Sequence, residues 1–192
     1  MYLEMKTMKY LFCAAAVLMS AVCTTNCQGG NSEKVKNNPN MQTKKILFIN
    51  GSPNKEGNTA ELAKQLLEGQ EYETIMLTDY RINFYGQTAE GDQFEKVFNK
   101  MKQADIVVMG SPVYWHNICA SLRTFMERLY DVANADTFKG KQLFFLYQGA
   151  GPSKKMIDDG EYTMKRFATL YGFSYEGMAN NTAQAKALRS KL

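Results

Sequence analysis

Histidine is almost missing from this sequence: His116 is the only one in 192 residues. Cysteine is equally scarce where it would matter. Of four cysteines, Cys13, Cys23 and Cys27 lie near the amino end and only Cys119 falls later. One histidine and one thiol cannot build a zinc site, and a lone thiol cannot close an internal disulfide, so no metal ligands are expected. An oxidising compartment is tolerated by this cysteine usage without being required by it. No Ser/His/Asp arrangement and no paired-carboxylate motif is present, which removes the usual hydrolytic chemistries. Basic residues outnumber acidic ones by only 23 to 19, with no dense Lys/Arg cluster, so nucleic acid is not an expected partner. Beyond residue 43 no apolar run reaches the roughly eighteen residues that a membrane-spanning helix needs.

What is present begins with a leader. Lys6 and Lys9 precede an apolar run from Tyr10 to Val22, the pattern of a secretory signal peptide over residues 1–22. Residues 23–43 are polar and read as a flexible linker to a domain over 44–192. The expected location is therefore outside the cytoplasm, either periplasmic or lipid-anchored at the cell envelope through Cys23 or Cys27. Val22 and Asn26 are poor residues to precede a lipidated cysteine, which ranks plain export higher. Translation from Met41 would instead give a cytoplasmic protein.

The domain is organised around Lys44 to Thr59, KKILFINGSPNKEGNT. Ile46-Leu47-Phe48-Ile49 is apolar without alternation, as a strand buried on both faces requires. A polar loop follows, then a helix with apolar positions at Leu62, Ala63, Leu66 and Leu67. A strand feeding a polar loop that starts a helix is an anion site, because the first helical amides lack internal partners. Asn58 or Thr59 is the expected N-cap, and Ser52, Asn54, Asn58 and Thr59 offer uncharged donors. Five residues separate Gly51 from Gly57 and Asn58 stands where a lysine would be needed, so this is not a nucleoside-triphosphate loop. The dinucleotide fingerprint fails too. Neutral donors suit a terminal monophosphate.

Further along, strand and helix patterns alternate. Strands are expected at Glu73–Leu77, Ile106–Met109, Gln142–Tyr147 and Phe173–Met178, with amphipathic helices between them. This predicts an α/β fold: a doubly wound parallel sheet with helices on both faces. Ligands bind such sheets at the carboxyl ends of the strands, where the winding reverses. Three loops meet that edge. The second, Ser111-Pro112-Val113-Tyr114-Trp115-His116-Asn117, carries the only Trp and the only His, and its aromatics suit stacking on a planar ring. The third, Gln148-Gly149-Ala150-Gly151, has no bulky side chain at Gly149 to Gly151 and admits a close ligand edge. Phosphate cradle, aromatic wall and amide strip together point to flavin mononucleotide (FMN).

GSPNKEGNT after ILFIN, ADIVVMGSPVYWHNICASLRTFMER, and FKGKQLFFLYQGAG resemble the flavodoxin-like NAD(P)H-dependent FMN reductases and quinone or azo reductases. The resemblance implies a flavodoxin-like five-stranded parallel sheet of order 2-1-3-4-5, tightly bound FMN and a homodimer. Position by position, it implies that Ser52, Asn58 and Thr59, with Asn54 beside them, hold the phosphate. Pro112, Val113, Tyr114, Trp115 and His116 would line the ring and ribityl chain, and Gln148, Gly149, Ala150 and Gly151 the pyrimidine edge. NAD(P)H would be the co-substrate, or another donor if the protein is exported, and a quinone, azo, nitro or flavin compound the small-molecule acceptor. His116 and Tyr114 are the candidate catalytic residues. The alternative is a non-enzymatic flavodoxin-type electron carrier, although such carriers are typically acidic and this chain is basic. The chain departs from its relatives by lacking the cysteine-rich stretch that many carry after the second strand, by Cys119 where proline is common, and by its leader.

Overall fold

The structure, a computed structural model, describes residues 43–192. The expected signal peptide and nearly all of the linker lie outside the described residues. Within them the chain alternates: β1 (Ile46–Asn50), α1 (Asn58–Leu66), β2 (Glu73–Met76), α2 (Phe94–Gln103), β3 (Ile106–Tyr114), β4 (Asn117–Ile118), α3 (Ala120–Glu127), β5 (Gln142–Gln148), α4 (Lys154–Tyr171), β6 (Ser174–Ala179) and α5 (Thr182–Leu188). The parallel strands run in the order β2-β1-β3-β5-β6, which is the expected doubly wound, flavodoxin-like path. The sheet has six strands rather than five, because the two-residue β4 pairs antiparallel with the end of β3.

The unbroken apolar strands are explained by two separate cores. On one face Leu47, Ile49, Val107, Met109, Leu143 and Phe145 pack with residues of α2, α3 and α4. On the other Ile46, Phe48, Ile106, Val108, Phe144 and Leu146 pack with Leu62, Ala63 and Leu66 of α1 and Ala185 of α5. Alternate residues of one strand thus enter opposite cores, and polar residues of the central strands β1, β3 and β5 are confined to strand ends and the carboxyl edge, as at Asn50, Ser111 and Gln148. In α2, Phe94, Val97, Phe98 and Met101 recur at helical spacing and all four are buried. Gly172 ends α4 at φ 85°, and a Cβ there would come within 2.1 Å of the Ala135 carbonyl oxygen. Among the described residues no helix is long and apolar enough to cross a membrane.

The long connection from β2 to α2 has little regular structure and is tied down by polar contacts. Arg128, just after α3, donates from Nη1 to Asp92 Oδ2 and to the Asn83 carbonyl (3.1 Å), while its guanidinium lies 4.6 Å from the centre of the Phe94 ring. Asn83 in turn donates to the Ala89 carbonyl at 2.8 Å. Burial of Asp92 works against its ionisation, but the Phe94 amide and the Arg128 guanidinium outweigh it and hold the carboxyl below its ordinary value. A folded-state pKa below the unfolded one adds stability above the unfolded value, about 3.9, and that stability is lost as pH falls through the folded value. Asp92→Ala should therefore cost about 1–3 kcal/mol at neutral pH. Denaturation midpoints of wild type and variant should converge as the pH is lowered below about 4; a constant gap down to the acid transition would show that the carboxylate is not what holds the connection.

Candidate functional site

The loop after β1 is built from side chains that turn back on their own backbone. Asn50 is fully buried, and its Oδ1 accepts the Ser52 amide at 2.9 Å. Ser52 Oγ accepts the Asn54 amide at 3.1 Å, and Asn54 Oδ1 accepts the Glu56 amide at 3.0 Å. Successive turns of this kind wind the chain tightly into α1. The residue preceding the helix is Gly57, and no side chain caps it. Asn58 and Thr59, each expected as the N-cap, are instead the first helical residues. The consequence favours a ligand: the first-turn amides of α1 have no cap, at the end where the helix dipole is positive. Ser52 and Thr59 are buried, and their hydroxyls accept bonds from the Asn54 amide and from Gln148 Nε2 (3.3 Å). Each hydroxyl keeps its own proton to donate. Lys55, the one cation of the loop, pairs with Asp79 at 3.0 Å.

The other two loops are joined to this one by direct contact. Gly51 N donates to Gly110 O at 2.8 Å, and Gly51 O accepts from Ser121 Oγ of α3 at 2.6 Å. A Cβ on Gly51 would lie 2.7 Å from Cys119 Sγ, so only glycine allows this approach. Ser111 Oγ, fully buried, accepts the Cys119 amide at 2.9 Å and fixes the start of α3 to β3. Pro112 stands in register with Gln148, and a Cβ on Gly149 would meet Val113 Cβ at 2.9 Å. The loop after β5 then turns sharply, with Gly151 at φ 73° and its amide on the Gly149 carbonyl at 3.0 Å. Ala150 is exposed on that turn.

The second loop is shorter than the sequence implies. Ser111 to Tyr114 continue β3, because pairing with β5 up to Pro112 and with β4 beyond it overrides the turn signal of Gly110-Ser111-Pro112. Only Trp115 and His116 remain as a two-residue hairpin turn, at φ 46° and 65°. Both φ values are left-handed, as a type I′ turn requires, though neither residue is glycine or asparagine. Tyr114 is half-exposed and Trp115 is 98% exposed. Of the expected wall, Val113 packs against the loop after β5 at Gly149, while Tyr114 lies beyond the pairing with β5 and Trp115 is almost wholly in solvent. His116 is exposed at the rim and does not cap α3, whose N-cap is Cys119 without a side-chain bond.

Several residues that shape the site have weak sequence signals. Asn50 is one: Asn before Gly marks a turn, but its burial with Nδ2 unpartnered among the described residues is a tertiary fact. Ser121 had no signal, since its partner Gly51 is 70 residues away. Tyr147, at the end of β5, is fully buried with an unpartnered hydroxyl, and burial, followed by Asp159 and Cys119, pushes its pKa up to about 12. It stays a neutral phenol throughout the physiological range.

Uncharged donors around an open helix end match a phosphate monoester, and Val113 packed against the Gly149 turn leaves an apolar, unobstructed strip that matches the edge of a flat ring. FMN has both parts and fits the residues present. An iron-sulfur flavoprotein of Methanocaldococcus jannaschii is 36% identical over 98 residues, 44% of this chain and 51% of that protein. The chain spans about half the length of the curated relatives that it matches first. Residues 43–192 contain one cysteine, Cys119, buried and free. Among solved structures, the Trp repressor binding protein from Bacillus subtilis aligns with TM-score 0.60 at 20% identity, covering 75% of this chain and 98% of that one. An FMN-dependent NADH-azoreductase from Bacillus anthracis, solved with FMN, aligns with TM-score 0.56 at 14% identity over 77% and 95% of the two chains. Such low identities establish the fold alone. The model of the NADPH-dependent FMN reductase family matches residues 44–170, from the start of β1 nearly to the end of α4 and across all three loops, and the chain belongs to that family.

Proposed function

We propose that this protein is an FMN-dependent oxidoreductase that takes electrons from NAD(P)H and passes them to a small quinone, azo, nitro or flavin acceptor. The reading is carried by the uncapped α1 amides, locked beside Gln148 through Thr59 and beside β3 through Gly51. The bound flavin would supply the two-electron chemistry, and the protein supplies position and electrostatics. Ser52, Asn54, Asn58 and Thr59, with the helix amides, bind the phosphate. Pro112 to Tyr114 on one side and Gln148 to Gly151 on the other orient the ring. Tyr114 and His116, both exposed at the rim, are the side chains able to hold a proton for the acceptor.

Two further parts of the reading concern the whole chain. A homodimer is supported by the cleft between α3 and α4, where Tyr130, Tyr162 and Leu170 are exposed. Export is supported by Lys6, Lys9 and the apolar run from Tyr10 to Val22. An exported enzyme would meet no cytosolic nicotinamide, and its donor would then be a membrane quinol or a partner protein.

Protein purified under native conditions should show flavin absorbance, and NADPH or NADH should bleach it in a stopped-flow mixer; a folded, colourless protein that does not take up FMN overturns the reading. Thr59→Val keeps shape and removes the hydroxyl, and Ser52→Ala does the same on the other side of the loop. Each should weaken FMN about tenfold or more, the size of one hydrogen bond to a charged group. Neither should affect riboflavin, which lacks the phosphate. Equal losses for both ligands in titration calorimetry would place these hydroxyls elsewhere.

A further inference from the structure

We infer that Asp79 tunes the phosphate loop from the neighbouring connection, lowering its affinity by competing with the phosphate for Lys55. The inference rests on the flavin reading above and names a residue that sets how tightly that same site holds its ligand. From Asn50 to Thr59 the sequence carries one basic residue, Lys55, and one acidic residue, Glu56. Lys55 does not turn to Glu56 beside it. Its Nζ donates to Asp79 Oδ2 at 3.0 Å, 24 positions further along the chain. Among the described residues neither the Lys55 ammonium nor the Asp79 carboxylate makes another bond. The topology brings the two together. β1 and β2 are parallel neighbours with Asn50 opposite Met76, so the chain leaves both strands side by side at the carboxyl edge. Asp79 ends the 3-10 turn Leu77–Asp79 that follows β2 directly, and buried Leu77 fixes that turn to the core.

The carboxylate is thus held on a fixed turn, while the ammonium sits on a flexible four-carbon stem inside the phosphate loop. An ammonium against a carboxylate presents a dipole to more distant groups, and its pull on a phosphate is reduced accordingly. With Lys55 so engaged, the cradle is left to hydroxyls, backbone amides and the dipole of uncapped α1. The pair itself is weak, because its side chains are 66% and 51% exposed and water and salt screen them. The fold does not depend on it, and the ammonium is free to change partners. A phosphate at the α1 end is the competing partner, and neutralising Asp79 removes its rival.

The test is a flavin fluorescence titration of the full-length protein with FMN and with riboflavin, which lacks the phosphate. Asp79→Asn keeps the shape of the side chain and removes its charge. It should tighten FMN about three- to fivefold, the scale of one exposed ion pair, and leave riboflavin unchanged. Asp79→Ser, neutral but of different shape, should give the same gain. Both gains should fade at about 1 M salt, where the screening length is about 3 Å. In a Lys55→Gln background the Asp79→Asn change should leave FMN affinity where it was. An equal gain in that background overturns the inference, because the carboxylate would then repel the phosphate directly and Lys55 would have no part. No gain with Lys55 present overturns it too. So does an equal gain for riboflavin, or a gain in only one of the two neutral variants, since either traces the effect to the shape of the loop. Wild-type protein that binds FMN no better than riboflavin fails the underlying reading instead, because no phosphate is then being recognised.

Discussion

The carboxyl edge of this sheet depends on how closely the backbone at Gly51 passes the first turn of α3. The residue is bonded through its amide to Gly110 and through its carbonyl to Ser121, with Cys119 Sγ where a side chain would begin. A methyl group there would force β1 and α3 apart. The turns at Asn50, Ser52 and Asn54 start from that point, and they decide where the open end of α1 is aimed. Gly110 does the same from the other side: a Cβ on it would strike Thr59 Cγ2 at 2.6 Å. The two glycines bring the phosphate loop, α1 and α3 to one place.

Buried polar groups do most of the positioning above this junction. Asn50, Ser52, Thr59 and Ser111 are all buried around the carboxyl edge of the sheet, and each side chain engages backbone or Gln148. A buried hydroxyl left without a partner costs about 1–3 kcal/mol, so these side chains have few other places to go. They are therefore set before any ligand arrives, which is what precise recognition of a phosphate needs. Below them the apolar strands, buried on both faces, give a base that yields little.

Much of this was legible in the sequence, and the failures have physical causes. ILFIN, IVVM and QLFFLY read as strands because a two-sided burial leaves no polar alternation, and all three are strands. The end of β3 was misjudged because Gly-Ser-Pro carries a strong local turn signal, while the pairing that overrides it comes from β5, some 36 residues downstream of Pro112. The capping of α1 was misjudged because Asn58 and Thr59 are both good caps by type. Only the three-dimensional course of the loop decides that Gly57 takes the position. That Trp115 is almost wholly in solvent was invisible for a related reason: it falls in a two-residue turn that exists only because β4 pairs back on the end of β3.

By itself the sequence determined the strand and helix alternation, the winding that brings three loops to one edge, and the uncharged character of the phosphate loop. Each follows from local composition, which sets burial and charge residue by residue. The tertiary structure alone decided that Ser121 and Cys119 clamp Gly51, that Gln148 reaches Thr59, that the helix end stays uncapped and that Trp115 stands in solvent. Those outcomes depend on contacts between residues far apart in the chain, at distances of about 3 Å where one added carbon changes the result.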